Sequence, residues 1–127
     1  MSVPIGLDKL REEVDRYGFT PFLLTVSEDG RPHAVNIPVA WDGDRLIAPA
    51  GRTTAKNVGA HAVVTVLWPP HETGGYSLIV DAEATIEGEQ VRVQPLKALL
   101  HRPAPGATLN ACGHDCVPVF ERDAERS

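Results

Sequence analysis

Apolar and polar positions follow two different rhythms along this chain, and the change between them is sharp. Over residues 7–17, Leu7, Leu10 and Val14 recur at helical spacing, with Asp8, Glu12, Glu13 and Asp15 on the other side. An amphipathic helix is predicted there, and Gly18 ends it. From Phe19 onward the pattern is that of strands. Residues 19–27 form a predicted strand. Glu28-Asp29-Gly30 is a hairpin turn, because Asp-Gly supplies the positive φ that tight turns require, and residues 32–41 are the returning strand. Asp42-Gly43-Asp44 repeats the turn chemistry, and residues 45–49 form a third strand.

Gly51 breaks this rhythm. A short helix is predicted to run to about Gly59, with Thr53 or Thr54 as its cap. The nearly continuous apolar run over residues 61–68 predicts a strand buried on both faces, stopped by Pro69-Pro70. Residues 71–75 are a loop, residues 76–87 a long strand, and Gly88 a turn. Residues 91–100 continue the sheet, with Pro95 demanding an edge or a bulge. Residues 103–127 read as an irregular C-terminal segment, with a short strand at 117–120 and a polar tail. About five to seven short strands with closely spaced turns predict a mostly β domain, a barrel or sandwich with short helices.

Composition narrows the classes of function. A chain of 127 residues with 43% hydrophobic content fits one domain, and its size favours burying further apolar area in a dimer. A net charge of −5 argues against a nucleic-acid binder, which needs clustered cations. No apolar run is long enough to span a membrane, and the N-terminal residues lack a signal-peptide pattern, so a cytoplasmic protein is expected. Arg outnumbers Lys nine to three, which suits planar contacts to carboxylate or phosphate and equally reflects genomic base composition.

The segment Gly51-Arg52-Thr53-Thr54-Ala55-Lys56-Asn57 carries the most chemistry. A strand ends, a Gly follows, and two threonines and a lysine open a helix. A helix N-terminus offers free backbone N–H groups and partial positive charge. Thr53 and Thr54 add hydroxyls, Arg52 and Lys56 add full charges, and Gly51 permits close approach to the backbone. The alternative is an ordinary capped helix with solvated cations. A second cluster, Cys112-Gly113-His114-Asp115-Cys116, gathers soft ligands, with His101 as a candidate fourth. An extended segment would hold the two cysteines roughly 13 Å apart, so one metal or one disulfide requires a tight turn at Gly113. Buried thiols without a metal are the other reading, and no metal site is assigned.

The run from Gly30 to Val58 resembles the core of the pyridoxamine 5'-phosphate oxidase-like family of flavin-binding split barrels. The matching parts are Asp29-Gly30-Arg31-Pro32-His33, the strand from Val35 to Trp41, Asp42-Gly43-Asp44, Leu46 to Pro49, and Thr54-Ala55-Lys56. The likeness extends more loosely over residues 7–102. It implies a six-stranded split barrel and a homodimer with the cofactor groove at the subunit interface. The cofactor implied is FMN or, alternatively, a deazaflavin. Its phosphate would sit at Gly51, Arg52, Thr53, Thr54, Lys56 and Asn57. Its ring would lie along Asn36-Ile37-Pro38-Val39, bonded by backbone amides, with Trp68 or Trp41 on the other side. Each Trp is otherwise a core residue.

The activity implied is hydride transfer to or from a small organic substrate. The alternative is a non-catalytic flavin carrier on the same scaffold. No catalytic side chain is assigned. His33 is a candidate proton donor beside the ring strand, or simply an exposed turn residue. The oxidase proper has an Arg where this chain has Ala55, and basic residues where it has Val35 and Ala40. These departures argue against oxidation of pyridoxamine phosphate, and the short chain resembles the smaller, actinobacterial type of member.

Overall fold

The structure is a computed structural model, and it describes residues 1–104. Ten elements follow one another: β1 (Ser2–Ile5), α1 (Leu7–Tyr17), β2 (Phe22–Val26), β3 (Pro32–Asn36), β4 (Ala40–Asp42), β5 (Arg45–Pro49), α2 (Arg52–Ala60), β6 (Val63–Trp68), β7 (Ser77–Glu87) and β8 (Gln90–His101). The strands form one antiparallel sheet in the order β3-β2-β6-β7-β8-β5-β4, with β1 also paired to β8. The mostly β class with short helices is therefore observed. The sheet has eight strands rather than six, because β1 and the three-residue β4 add to it.

The turns form where their residues allow it. Gly30, Gly43 and Gly88 sit at φ of 89°, 67° and 63°, in the left-handed region that closes tight hairpins. Leu10 and Val14 turn the buried face of α1 inward, and the helix ends where the Gly18 N–H bonds the Val14 carbonyl at 2.8 Å. Strand β8 organises the sheet. It pairs with β7 along its whole length, with β5 through residues 90–93 and with β1 through residues 98–101. Ala82 faces Pro95 and Asp81 faces Lys97, so Leu96 is skipped. That is the bulge Pro95 demanded, since Pro has no N–H for the ladder. Leu96 is left 52% exposed.

Three expectations change. The strand over residues 32–41 divides into β3 and β4. Pro38 carries no N–H, and the intervening backbone bonds instead to the entry of β2, Ile37 N–H to the Pro21 carbonyl at 2.9 Å and Val39 N–H to Phe19 at 2.8 Å. The strand over residues 61–68 is not buried on both faces. Val64, Val66 and Trp68 face the core, whereas Val63 is 67% exposed. An antiparallel sheet can leave one face apolar and uncovered, so an apolar run does not require two-sided burial. Strand β1 was not anticipated. Its four residues are too few to show a period, and β8 recruits them.

The core joins Leu23, Leu46, Val66, Leu78, Val80, Val91 and Val93 of the sheet to Leu10 and Val14 of α1 and Val58 of α2. Helix α2 packs against β2 and β7, which fixes its N-terminus beside the β2–β3 hairpin. The strand expected at 117–120, the polar tail and the cluster of Cys112, His114 and Cys116 lie outside the described residues. His101, the candidate fourth ligand, is engaged elsewhere, with its Nδ1 3.0 Å from Ser2 Oγ.

Candidate functional site

Helix α2 opens without a side-chain cap. Its N-cap is Gly51, in extended conformation, so neither Thr53 nor Thr54 plays the capping role expected of it. The first intrahelical bond is Ala55 N–H to the Gly51 carbonyl at 2.9 Å. The N–H groups of Arg52, Thr53 and Thr54 precede it, so they have no partner inside the helix. No acidic residue lies in this first turn. Partial positive charge is therefore left uncompensated at the end of α2.

The helical period then separates two faces. Thr54, Asn57 and Val58 turn inward, and Arg52, Thr53 and Lys56 face solvent. Asn57 is 3% exposed and donates from Nδ2 to Thr25 Oγ1 at 3.0 Å, tying α2 to β2. Thr54 is 4% exposed. The side chains of Thr54 and Asn57, both expected around the phosphate, thus belong largely to the core. What Thr54 presents at the helix end is its backbone N–H. The outward trio lines a cavity of about 490 Å³ together with Ser27, Glu28, Asp29 and the edge of Asn57. Arg52 and Lys56 form no ion pair among the described residues.

The far wall of this cavity is the β2–β3 turn, which sequence reasoning treated only as a turn. Ser27 Oγ donates to Asp29 Oδ1 and accepts from the Arg31 N–H at 2.9 Å, fixing the carboxylate within the hairpin. The Ser27 hydroxyl holds the Asp29 carboxyl below its ordinary range, with backbone N–H groups and the nearby Lys56 charge adding to the effect. The signal was present in Ser27-Glu28-Asp29-Gly30, but nothing local says that a turn will face a helix more than twenty residues away.

A second groove, of about 450 Å³, is lined by Pro38, Val39, Ala40, Ile47, Ala48, Pro49, Glu89 and Gln90. It brings Pro38 and Val39 of the expected ring strand against β5, whose chain runs on through Ala50 and Gly51 into α2. The backbone amides of this strand do not all serve as expected. Those of Ile37 and Val39 are already bonded to Pro21 and Phe19, and Pro38 has none. Asn36 lies opposite Phe22, between the hydrogen-bonded positions, so its N–H points to the open edge of β3. Its side chain reaches back to the Thr20 carbonyl at 2.6 Å and to Pro21 at 3.0 Å.

Neither tryptophan lines that groove. Trp68 is 2% exposed, and its Nε1–H donates to the Gly18 carbonyl at 2.8 Å, so the expectation that it flanks a ring is corrected to a core role. Trp41 follows Ala40 on β4 and so faces the other side of the strand. It sits under the Arg11 guanidinium, 4.6 Å from its ring centre, in a separate cavity with Leu10, Gln94 and Pro95. His33 is half-buried opposite Thr25, and its Nδ1 has no hydrogen-bond partner among the described residues. It lines neither cavity. Among the described residues no helix is long and apolar enough to cross a membrane.

No family model matches the chain. Two mycobacterial proteins do: uncharacterized protein Mb0449c of Mycobacterium bovis and uncharacterized protein MT0457 of Mycobacterium tuberculosis. Each is 35% identical over 133 residues, covering 89% of this chain and 93% of its own. Among solved structures, a candidate pyridoxamine 5'-phosphate oxidase from Listeria innocua aligns with a TM-score of 0.61 at 19% identity, covering 74% of this chain and 96% of its own. An FAD binding protein from Mycobacterium smegmatis aligns at 0.57 and 17% identity, covering 80% and 100%. An F420 reductase aligns at 0.53 and 17% identity, covering 63% and 88%. At these identities the structural likeness establishes the fold. The chain belongs to one family with the two mycobacterial proteins, and its fold is the split barrel of the pyridoxamine 5'-phosphate oxidase-like proteins.

Proposed function

We propose that this protein binds a flavin-type cofactor, FMN or a deazaflavin, by its phosphate at the N-terminus of α2. The observation that carries this is the uncapped start of that helix, with Arg52 and Lys56 beside it, in no ion pair among the described residues, on the wall of a cavity of about 490 Å³. Free N–H groups, a helix dipole and two cations together form an anion site. The names of two structural neighbours, an FAD binding protein and an F420 reductase, support a flavin-type ligand on this fold. The residues fit the group. Arg52, Thr53, Lys56 and the N–H groups of residues 52–54 would hold the phosphate. The apolar groove of Pro38, Val39, Ile47 and Pro49 would shelter the ring from water.

The reaction proposed is hydride transfer to or from a small organic substrate, chemistry that the cofactor supplies when bound. This chain's part is to hold, orient and desolvate. Titration with FMN, followed by flavin fluorescence, tests the site. Lys56→Ala is expected to weaken binding by roughly 1.5–3 kcal/mol, the worth of a charge-assisted contact. Unchanged affinity would refute the phosphate assignment. Turnover with reduced cofactor then separates an oxidoreductase from a carrier.

A homodimer is part of the same proposal. Phe22, Leu67, Ile79 and Leu99 lie opposite one another across β2, β6, β7 and β8, giving an apolar row on the sheet's outer face. Phe22 is exposed and the other three are half-buried. Such a face gains by being covered. Sedimentation at micromolar concentration is expected to show twice the 13.7 kDa chain mass, and Phe22→Glu to shift it toward the monomer. A monomeric parent protein would end the dimer reading.

A further inference from the structure

We propose that Asp29 sets the charge state of the phosphate this site accepts, favouring a singly charged phosphate ester over a dianionic one. The inference rests on the phosphate reading above and deepens it. The cavity beside α2 is not simply basic. Arg52 and Lys56 line one wall and Glu28 and Asp29 the other, so the formal charges of its four ionic side chains cancel. Only the dipole of α2 and its free N–H groups remain as uncompensated positive character. That is enough for one negative charge. A second must be placed against the Asp29 carboxylate, which Ser27 holds in the turn.

Asp29 is the carboxylate held in place. Ser27 Oγ donates to it, and the Arg31 N–H anchors Ser27 in turn at 2.9 Å. Gly30, at φ 89°, closes the turn, and Asp29 lines the cavity that Arg52 and Lys56 border from α2. The groups around it are Ser27, Glu28 and Arg31 from its own hairpin and Arg52 and Lys56 from the helix, while His33 lies further along β3 opposite Thr25. The Ser27 hydroxyl that orients Asp29 also holds its carboxyl below the ordinary carboxylate range. Between pH 5.0 and 7.5 its charge is therefore constant, whereas a phosphate monoester, with a second pKa near 6, gains its second charge in that interval.

The probe is FMN, a phosphate monoester, with dissociation constants measured at pH 5.0 and 7.5 for the parent protein, Asp29→Asn and Asp29→Glu. The parent is expected to bind FMN no more tightly at pH 7.5 than at pH 5.0. In Asp29→Asn the ratio of affinities should shift about fivefold toward the higher pH, the size of one charge–charge interaction at close range in water. Asp29→Glu should restore the parental ratio. Effects of pH on the rest of the protein divide out, because the comparison is between variants at the same two pH values. Melting temperatures confirm that the turn variants are folded.

An unchanged ratio in Asp29→Asn, in a protein whose FMN affinity does fall in Lys56→Ala, overturns this inference and leaves the phosphate site standing. No binding of FMN by the parent, or no effect of Lys56→Ala, overturns both. A requirement for a divalent cation that Asp29→Asn abolishes also overturns the inference, because the carboxylates would then be metal ligands rather than a charge filter.

Discussion

Replacing Trp68 by Ala is expected to lower the stability of this protein by about 3–5 kcal/mol, a large share of the roughly 5–15 kcal/mol that holds a domain folded. The indole is 2% exposed at the end of β6, among the largest fully buried side chains. It also does a second job. Its Nε1–H donates to the Gly18 carbonyl at 2.8 Å, at the point where α1 ends and the chain turns toward β2. Truncation would leave a cavity and an unpartnered carbonyl together. Trp68→Phe fills most of the space and loses only the donor, so it should cost about 1–3 kcal/mol. Urea denaturation measures both. The variants also separate the two roles considered for this residue. A core tryptophan loses stability in proportion to volume, with flavin affinity of the folded fraction unchanged. Full stability with lost flavin binding in Trp68→Phe would restore the ring-flanking role.

The second large effect concerns ligand rather than fold. In the double variant Arg52→Ala/Lys56→Ala, FMN affinity should fall by roughly 3–5 kcal/mol, a few hundred-fold or more. The two losses should fall short of adding, because both cations serve one phosphate. Riboflavin, which has the ring and no phosphate, should bind the double variant as it binds the parent. Both side chains are exposed and unpaired among the described residues, so removing them should leave stability within about 0.5 kcal/mol. An equal loss for riboflavin would mean that the helix end itself had changed. An equal affinity for FMN would remove the α2 site altogether.

Much of this architecture was legible before any coordinate. Leu10 and Val14 one turn apart, followed by Gly18, located α1 to the residue. Glycines 30, 43 and 88 marked three hairpins, and all three take positive φ. Pro95 announced a bulge, and the register slips beside it. These features are local, since the periodicity of a helix or the φ of a turn depends on a few neighbouring residues. The errors occur where the partner is distant. Val63 could be read as buried only by assuming a second covered face. Residues 32–41 could be read as one strand only by ignoring what Ile37 and Val39 would bond to.

The same division holds at the candidate site. Gly51, Arg52 and Lys56 were recognisable as an anion-binding start to a helix, because the free N–H groups and the charges are consecutive in the chain. Which side chains face the ligand was not recognisable. Thr54 and Asn57 stand beside Thr53 and Lys56 in sequence, yet packing of α2 on β2 and β7 turns them inward, and Thr25 claims the Asn57 amide. Trp68 is likewise taken by a carbonyl fifty positions away. Asp29 enters the site only because the sheet carries its hairpin up to the helix. Sequence thus settles the helices, most of the strands, their turns and the positive charge at the start of α2, all properties of short stretches of backbone. Tertiary structure alone decides which face of α2 is open and that a carboxylate confronts its cations, because burial and charge balance depend on residues that the chain brings together only on folding.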